Sequence, residues 1–376
     1  MLDLEEEWMR VQFLDLRQQY LSIKQEIDEA VLRQVGSGNY ILGETVARLE
    51  KRIAEYCGAA HGIGVASGTD ALLLSLKACG VGQGDEVVTS TYSFFASAGT
   101  IWNAGARPVF VDIDPGTFNL DVSQIRDKVT RRTKAIMPVH LFGQCAAMGP
   151  VMDVAVEAGL AVIEDAAQSV GATWRGKKAG SVGTTGCFSF YPTKNLGAYG
   201  DGGMIVTSDS AVADRLRLLR VHGAKPKYYH KVVGFNSRLD ALQAAILLVK
   251  LNHLDAWSER RRENARVYDR LFRGSEVVVP EVSEGNVSIF NQYVVRVPKR
   301  DAVKDFLKKK GVDTDVYYPL PLHLQECFQE LGYARGHLPN SEKAAAESLA
   351  LPIYPELTFE QQEYVVSSVR EAIAAA

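Results

Sequence analysis

Short apolar runs alternate with amphipathic stretches through the first two thirds of the chain. The runs have the length and composition of buried strands, and the stretches between them have helical spacing. The predicted strands are His61–Ala66, Glu86–Ser90, Pro108–Asp112, Ala135–Val139 and Ala161–Glu164, separated by predicted helices Asp70–Ala78, Ala96–Asn103, Val122–Val129 and Val151–Ala158. Strands that alternate with helices favour right-handed crossovers, so the pattern predicts an α/β fold with a mostly parallel sheet.

The rest of the chain completes this sheet and then changes character. Helices are predicted before it, at Leu21–Gln34 and Glu44–Tyr56, and later elements are the strands Cys187–Tyr191 and Met204–Thr207, the helix Ala211–Leu219, a long helix Leu239–Ser258 that Glu259–Phe272 continues or follows, the strand Gln292–Val297, and the helices Asp301–Lys309, Ser341–Ser348 and Phe359–Ala374. We therefore expect an N-terminal arm or helix over 1–35, a large domain over 36–255 and a smaller C-terminal α/β domain over 256–376.

Composition narrows the class of function. The chain has 376 residues, of which 47% are hydrophobic and 23% charged, with a net charge of -3. This balance gives no general attraction to nucleic acid or to an acidic membrane surface, so we expect small-molecule chemistry. The acidic start has no apolar core of a signal peptide, and no run is long enough to span a membrane, which predicts a cytoplasmic protein.

The cysteine and histidine spacings argue against a structural metal or disulfide. The five cysteines show no CxxC pair, and the seven histidines show no ligand spacing. We expect five free thiols, mostly buried, and no zinc site.

Two motifs carry candidate chemistry. Asp165 ends an apolar strand, and Lys194 follows a second apolar strand of the same kind of sheet. A buried acid and a poised lysine are what pyridoxal phosphate (PLP) needs, because the lysine holds the cofactor as a Schiff base and the acid keeps the ring nitrogen protonated. The alternatives are a helix-capping acid and a surface lysine, the fate of most lysines.

A third motif is the turn of Ser67, Gly68 and Thr69 between a strand and an apolar helix. The free amides at such a helix start can bind a phosphate, and the glycine lets a ligand approach the backbone. By itself the turn is more simply an ordinary N-cap formed by Ser67 or Thr69.

Together the motifs resemble the sugar aminotransferases of the DegT/DnrJ/EryC1/StrS family, which have the type I fold of PLP-dependent transferases. The resemblance spans nearly the whole chain. It rests on SGTDALLLSL (67–76), GVGQGDEVVTSTYSFFAS (80–97), GARPVFVDIDPGTFNLD (105–121), TKAIMPVHLFGQCA (133–146), VIEDAAQSVGA (162–172), FSFYPTKNLGAYGDGG (188–203), GFNSRLDALQAAIL (234–247) and YYPLPLHLQ (317–325). The implied architecture is a mostly parallel sheet sandwiched by helices, in a PLP-binding domain over 36–255, plus the smaller C-terminal domain.

The resemblance also implies roles for individual residues. Lys194 would bind PLP and move the proton, and Asp165 would pair with the pyridine nitrogen. The other implied cofactor contacts are Gln168 near the ring and its phenolic oxygen, Gly68, Thr69 and Ser189 on the phosphate, and Phe94 stacked on the ring, with Tyr92 a less favoured candidate. Asn236 and Arg238 would reach into the neighbouring subunit's site, which implies a homodimer with shared sites.

The implied reaction moves an amino group from an amino acid, L-glutamate by expectation, to a keto-sugar nucleotide. The sugar would be a 3-keto or 4-keto hexose on dTDP or UDP, and the product an amino sugar for surface polysaccharide or a secondary metabolite. Tyr318 and His323 are candidates for the sugar site, although His323 could equally be a packed loop histidine. Some relatives have histidine in place of the lysine and are dehydratases, so Lys194 favours transamination. Two alternatives stay open: a PLP enzyme acting on amino acids, and a non-catalytic regulator with a PLP fold.

Overall fold

The computed structural model of the protein describes residues 9–375. The acidic start at residues 1–8, on which part of the localisation prediction rests, and residue 376 lie outside the described residues.

Three helices precede the sheet: α1 (Leu16–Ser22), α2 (Lys24–Gly36) and α3 (Glu44–Cys57). The prediction of a single helix over 21–34 was wrong at its start, because a break at Ile23 separates α1 from α2. The Ile23 side chain is buried against Ile27, Ile246 and Trp257, so packing determines where the first helix ends. Helix α3 is terminated by Gly58, the residue after Cys57, whose φ of 72° is a left-handed conformation that glycine adopts without strain.

The first nine strands form a large sheet and a small hairpin. They are β1 (His61–Val65), β2 (Glu86–Ser90), β3 (Arg107–Val111), β4 (Thr133–Met137), β5 (Ala161–Asp165), β6 (Thr173–Trp174), β7 (Lys177–Lys178), β8 (Thr185–Ser189) and β9 (Gly203–Thr207). Seven of them pair in the order β1-β9-β8-β5-β4-β2-β3. Only β9 runs antiparallel to its neighbours in this sheet, so the expectation of a mostly parallel sheet is confirmed.

Four helices connect these strands, α4 (Gly68–Ala78), α5 (Ala96–Asn103), α6 (Ile125–Lys128) and α7 (Met148–Ala158), and α8 (Ser210–Leu219) follows β9. Strands β2 and β9 are buried along their whole length, as expected for a sheet covered on both faces. Because β1, β2, β4, β5 and β8 all run in the same direction, their carboxyl ends meet at one edge of the sheet. The predicted site motifs follow four of those ends.

The long helix predicted over Leu239–Ser258 is instead two helices, α9 (Ala241–Lys250) and α10 (Leu254–Phe272). The amides of Asn252 and His253 bond three residues back, to Val249 and Lys250, and this tighter turn ends α9. The His253 ring then stacks on Trp257 in the first turn of α10. The apolar spacing continues across the break, which is why the sequence pattern does not show it.

The remaining elements form the C-terminal part: β10 (Asn286–Val287), β11 (Tyr293–Arg296), α11 (Arg300–Lys309), α12 (Pro339–Glu347), β12 (Ser348–Leu351) and α13 (Phe359–Ala375). Strands β11 and β12 pair antiparallel, and helices α10, α11 and α13 pack around them in a hydrophobic cluster of their own. Val11 joins this cluster through a bridge to Val312. The division into three segments stays a prediction, and Val11 shows that the chain's start packs on the C-terminal part.

All five cysteines are free thiols, and Cys57, Cys145 and Cys187 are buried, as the spacing predicted. No helix within residues 9–375 combines the length and apolar character that crossing a membrane requires.

Candidate active site

Asp165 is the last residue of β5 and is only 5% exposed. Its Oδ2 accepts a hydrogen bond from the Ser97 hydroxyl at 2.7 Å, and its Oδ1 accepts one from the Ala167 amide at 3.3 Å. Burial raises the pKa of this carboxyl, while the bond from Ser97 opposes the rise. Within residues 9–375 Asp165 forms no ion pair, so it is a buried acid suited to a cationic partner.

Lys194 lies in the loop after β8, the strand that pairs parallel with β5. The Lys194 amide donates a hydrogen bond to the Tyr191 carbonyl at 2.9 Å and closes a tight turn. The Lys194 side chain is half-buried. Burial lowers the pKa of the Lys194 amine to about 8, and the Asp165 carboxylate opposes that shift. An amine with this pKa is partly neutral near neutral pH, as a nucleophile or base must be.

Gly68 and Ser189 meet at the same edge of the sheet. A Cβ added at Gly68 would lie 2.7 Å from the Ser189 Cβ, so only glycine fits between β8 and the start of α4. The Ser67 hydroxyl caps the helix by accepting from the Asp70 amide at 3.0 Å, as the N-cap alternative predicted. Thr69 is exposed in the first turn, where amides not capped by Ser67 remain available to an anion.

Gln168 is buried beside Asp165 and uses both ends of its amide. Its Oε1 accepts from the Phe142 amide at 2.7 Å, and its Nε2 donates to the Tyr318 hydroxyl at 3.0 Å. The structure therefore brings together Gln168 and Tyr318, which the sequence placed in a cofactor site and a sugar site respectively.

The two aromatic candidates for ring stacking have opposite environments. Tyr92 is fully buried, and its hydroxyl bonds the Tyr317 carbonyl at 2.6 Å and the Tyr318 amide at 2.9 Å. Phe94 is 59% exposed just before α5. Only Phe94 has a ring face available to a ligand, which favours the first of the two candidates.

The remaining predicted residues lie in two further places. The Arg238 guanidinium donates a hydrogen bond to the Asn236 side-chain oxygen at 2.6 Å, on the segment that follows α8. That Asn236 and Arg238 reach into a neighbouring subunit stays a prediction. His323 is 1% exposed, with Nδ1 2.7 Å from the Thr91 hydroxyl and Nε2 3.3 Å from Glu342. Burial lowers its pKa, and this environment favours the packed-loop alternative over a role on the sugar.

Sequence reasoning missed Ser97, which makes the shortest hydrogen bond to Asp165. The available signal was weak: Ser93 and Ser97 follow strand β2, whose carboxyl end lies at the ligand-binding edge of the sheet. Serine is too common after strands for this position to stand out.

The residues present fit PLP. The buried Asp165 carboxylate, which forms no ion pair within the described chain, suits a protonated pyridine, and the crowded Gly68 turn suits a phosphate that approaches the backbone. The exposed Phe94 ring offers a stacking face, and the lowered pKa of Lys194 suits an amine that attacks an aldehyde.

Two curated relatives match almost the full length of the chain. The pleiotropic regulatory protein of Geobacillus stearothermophilus is 54% identical, over 96% of this chain and 98% of its own. The UDP-2-acetamido-2-deoxy-3-oxo-D-glucuronate aminotransferase of Pseudomonas aeruginosa is 44% identical, over 92% of this chain and 96% of its own.

Solved structures agree with these relatives. DesV of S. venezuelae, in complex with a ketimine intermediate, matches with a TM-score of 0.94 and 40% identity, over 96% of this chain and 98% of its own. NtdA of Bacillus subtilis, with bound cofactor PMP, matches with a TM-score of 0.89 and 32% identity, over 98% of this chain and 86% of its own. The family model for the DegT/DnrJ/EryC1/StrS aminotransferases matches residues 21–370, and the chain belongs to that family.

Proposed function

We propose that this protein is a PLP-dependent aminotransferase that moves an amino group from an amino acid, L-glutamate, to a keto-sugar nucleotide. The observation that carries the proposal is that Asp165 ends β5 and Lys194 follows β8, the strand that pairs parallel with β5. Lys194 supplies an amine with a pKa of about 8, and Asp165 supplies a buried acid that forms no ion pair with any described residue. The family match and the aminotransferase from Pseudomonas aeruginosa support the same reaction class.

Bound PLP would supply an electron sink for the bonds at the substrate's amine-bearing carbon. Lys194 would hold the cofactor and then, once the amino donor has displaced it, take and return a proton at Nζ. Its pKa of about 8 leaves roughly a tenth of the amine neutral at pH 7. Asp165 would hold the ring nitrogen in its protonated form, and Gln168 would lie beside the ring.

The phosphate would sit at the start of α4, held by Gly68, Thr69 and Ser189. Asn236 and Arg238 would complete this pocket from a second copy of the chain, so the working unit would be a homodimer. The homodimer would work in the cytoplasm. Large apolar side chains in the preceding segment support such an interface, because they are unusually exposed for a free surface: Tyr228 (78%), Tyr229 (71%) and Val233 (96%).

The sugar acceptor would be a 3-keto rather than a 4-keto hexose. The named substrate of the Pseudomonas aeruginosa relative is a 3-oxo sugar on UDP, and this supports the choice. Tyr318 would face the sugar, since its hydroxyl already bonds Gln168 at the cofactor position. The nucleotide is UDP or dTDP, and the product is an amino sugar for surface polysaccharide or a secondary metabolite.

A second candidate is a regulator with a PLP fold and no turnover. The name of the relative from Geobacillus stearothermophilus, 54% identical, favours it. A protein that only regulates has no need for a lysine with a lowered pKa near a buried acid, and both are present here. We therefore rank catalysis first.

The visible absorbance of the purified protein separates these candidates. We expect a yellow band when PLP is added. Glutamate should remove this band and form one 2-oxoglutarate for each bound PLP. A panel of UDP- and dTDP-linked 3-keto and 4-keto sugars should then restore the band with one acceptor. A stable band that no amino acid changes would favour the regulator, and a response to amino acids with no sugar acceptor would favour a PLP enzyme acting on amino acids.

A further inference from the structure

Two serine hydroxyls lead to the buried Asp165 carboxylate from the segment between β2 and α5. The Ser93 Oγ lies 2.8 Å from the Ser97 Oγ, and the Ser97 Oγ lies 2.7 Å from the Asp165 Oδ2. Ser97 is fully buried, and Ser93 and Asp165 are nearly so. These contacts form a short chain of hydroxyls that ends on the acid expected to hold the cofactor nitrogen.

Counting protons gives this chain a direction. A serine hydroxyl has one hydrogen, and an ionised carboxylate has none. Ser97 donates its hydrogen to Asp165, so the Ser93–Ser97 contact requires Ser93 to donate to the Ser97 oxygen. An ionised Asp165 imposes this direction, because neither of its carboxylate oxygens carries a hydrogen to donate back to Ser97.

The Ser97 bond opposes the effect of burial on the acid. Burial raises the pKa of Asp165, and the hydrogen bond from Ser97 is the largest influence that lowers it. The Ser97 bond occupies Oδ2, whereas Oδ1 accepts, from within residues 9–375, only the longer bond from the Ala167 amide. Oδ1 therefore keeps capacity to accept a further, cationic donor.

We propose that Ser97, supported by Ser93, is a positioning residue that keeps Asp165 ionised and oriented toward the pyridine nitrogen of PLP. The part of this inference that concerns PLP rests on the proposed function, whereas the effect of Ser97 on the ionisation of Asp165 does not. Hydrogen bonds to charged groups are stronger than neutral ones, and the Ser93 donor strengthens the Ser97 bond further.

A purely structural role is the competing explanation, since serines near a helix start often cap it. Neither side chain does so here: α5 has no side-chain cap, and both hydroxyls bond within the chain that ends on Asp165. A structural role predicts lost stability alone. A positioning role predicts a changed carboxyl titration and a changed affinity for PLP.

The test uses Ser97→Ala, Ser97→Thr, Ser97→Cys and Ser93→Ala in the full chain. The first readout is the titration of Asp165 in the cofactor-free protein by carboxyl ¹³C NMR, with Asp165→Asn assigning the resonance. The second is the Kd for PLP from absorbance titrations at several pH values. Ser258→Ala is the matched control, because the Ser258 hydroxyl is buried and has no hydrogen-bond partner in the described chain.

We expect Ser97→Ala to shift the Asp165 titration to higher pH and to weaken PLP binding roughly 10-fold, with the loss growing as pH falls. Ser93→Ala should weaken binding about 2- to 3-fold. Ser97→Thr should restore wild-type behaviour, and Ser97→Cys, a weak donor of similar size, should behave like alanine. The control should match wild type in both readouts.

An unchanged Asp165 titration in both Ser97→Ala and Ser97→Cys would overturn the inference. If Ser97→Ala does not fold, Ser97→Cys decides the question with the same readouts. Failure of the wild-type protein to bind PLP would instead overturn the proposed function, and the NMR titration would still show whether Ser97 controls the ionisation of Asp165.

Discussion

The side chain of Gln168 donates a hydrogen bond to the hydroxyl of Tyr318 at 3.0 Å, although the two residues are far apart in sequence. Gln168 follows β5 in the large sheet, and Tyr318 lies between α11 and α12 in the C-terminal part. The bond therefore ties the loop beside Asp165 to the segment proposed to face the sugar, so a change at one position should be felt at the other.

Replacing Tyr318 with phenylalanine should lower turnover about 3- to 10-fold, because the buried Gln168 amide loses its hydrogen-bond acceptor. The measurement is kcat and KM for each half-reaction, together with the melting temperature. Tyr333→Phe is the control, since among the described residues that hydroxyl accepts a hydrogen bond from the Phe110 amide alone, in another cluster. Equal effects of the two variants on turnover would contradict a role for the Gln168–Tyr318 bond.

Lys194→Ala should abolish transamination, with a loss of at least about 10³-fold, because no other described amine lies in the loop after β8. When PLP is added to cofactor-free wild-type protein, the rate at which the visible band returns should rise with pH. This rate should level off above about pH 8, since the neutral amine is the attacking form. Stopped-flow absorbance between pH 6 and 10 measures this rate. A rate that keeps rising up to pH 10 would contradict the lowered pKa of Lys194, because an ordinary lysine titrates near 10.5.

Lys250 supplies a second pH prediction, independent of the cofactor. Its side chain is buried, its Nζ donates to the Gly197 carbonyl at 2.8 Å, and it lies 4.2 Å from the Tyr199 ring centre. Burial lowers the pKa of the amine to about 8. The unfolded chain, with an ordinary lysine pKa near 10.5, then binds more protons between these two values, so the contribution of Lys250 to stability rises with pH across that window.

The comparison is between wild type and Lys250→Met, by urea unfolding at pH 7 and pH 10. The free energy of unfolding of wild type should gain about 1 to 3 kcal/mol relative to the variant over this range. Lys250→Arg is the control, because a guanidinium does not titrate there and keeps a donor for Gly197. A constant difference between wild type and Lys250→Met would show that this lysine is charged at both pH values.

Gly68→Ala should weaken PLP binding at least about 10-fold, because the added methyl would lie 2.7 Å from the Ser189 Cβ and force β8 away from the start of α4. The binding isotherm for PLP and the melting temperature measure the two consequences. Gly82→Ala is the matched control, since no atom of the described residues lies within 4 Å of a Cβ at that position. Tight PLP binding by the Gly68 variant would remove this turn from the proposed phosphate site.

The strands of the large sheet were predictable because they are short apolar runs bounded by helical spacing. Strand β2 and helix α5 have the predicted bounds, and the bounds of strands β1, β5 and β9 differ from the prediction by one residue. The break between α9 and α10 was not predictable, since apolar spacing continues through it. Strand β12 was missed because Ser348–Leu351 directly follows the last turn of α12 and resembles its continuation.

By itself the sequence determined the family, the sheet and the two residues expected to carry the chemistry. Lys194 and Asp165 each stand in a local motif at the end of a buried strand, and parallel strands bring such ends to one edge. The tertiary structure alone decided that Ser97 bonds Asp165, that Gln168 bonds Tyr318 and that His323 is packed against Thr91 and Glu342. These contacts join residues from separate elements, and local patterns of hydrophobic and polar residues place no constraint on which side chains meet across a fold.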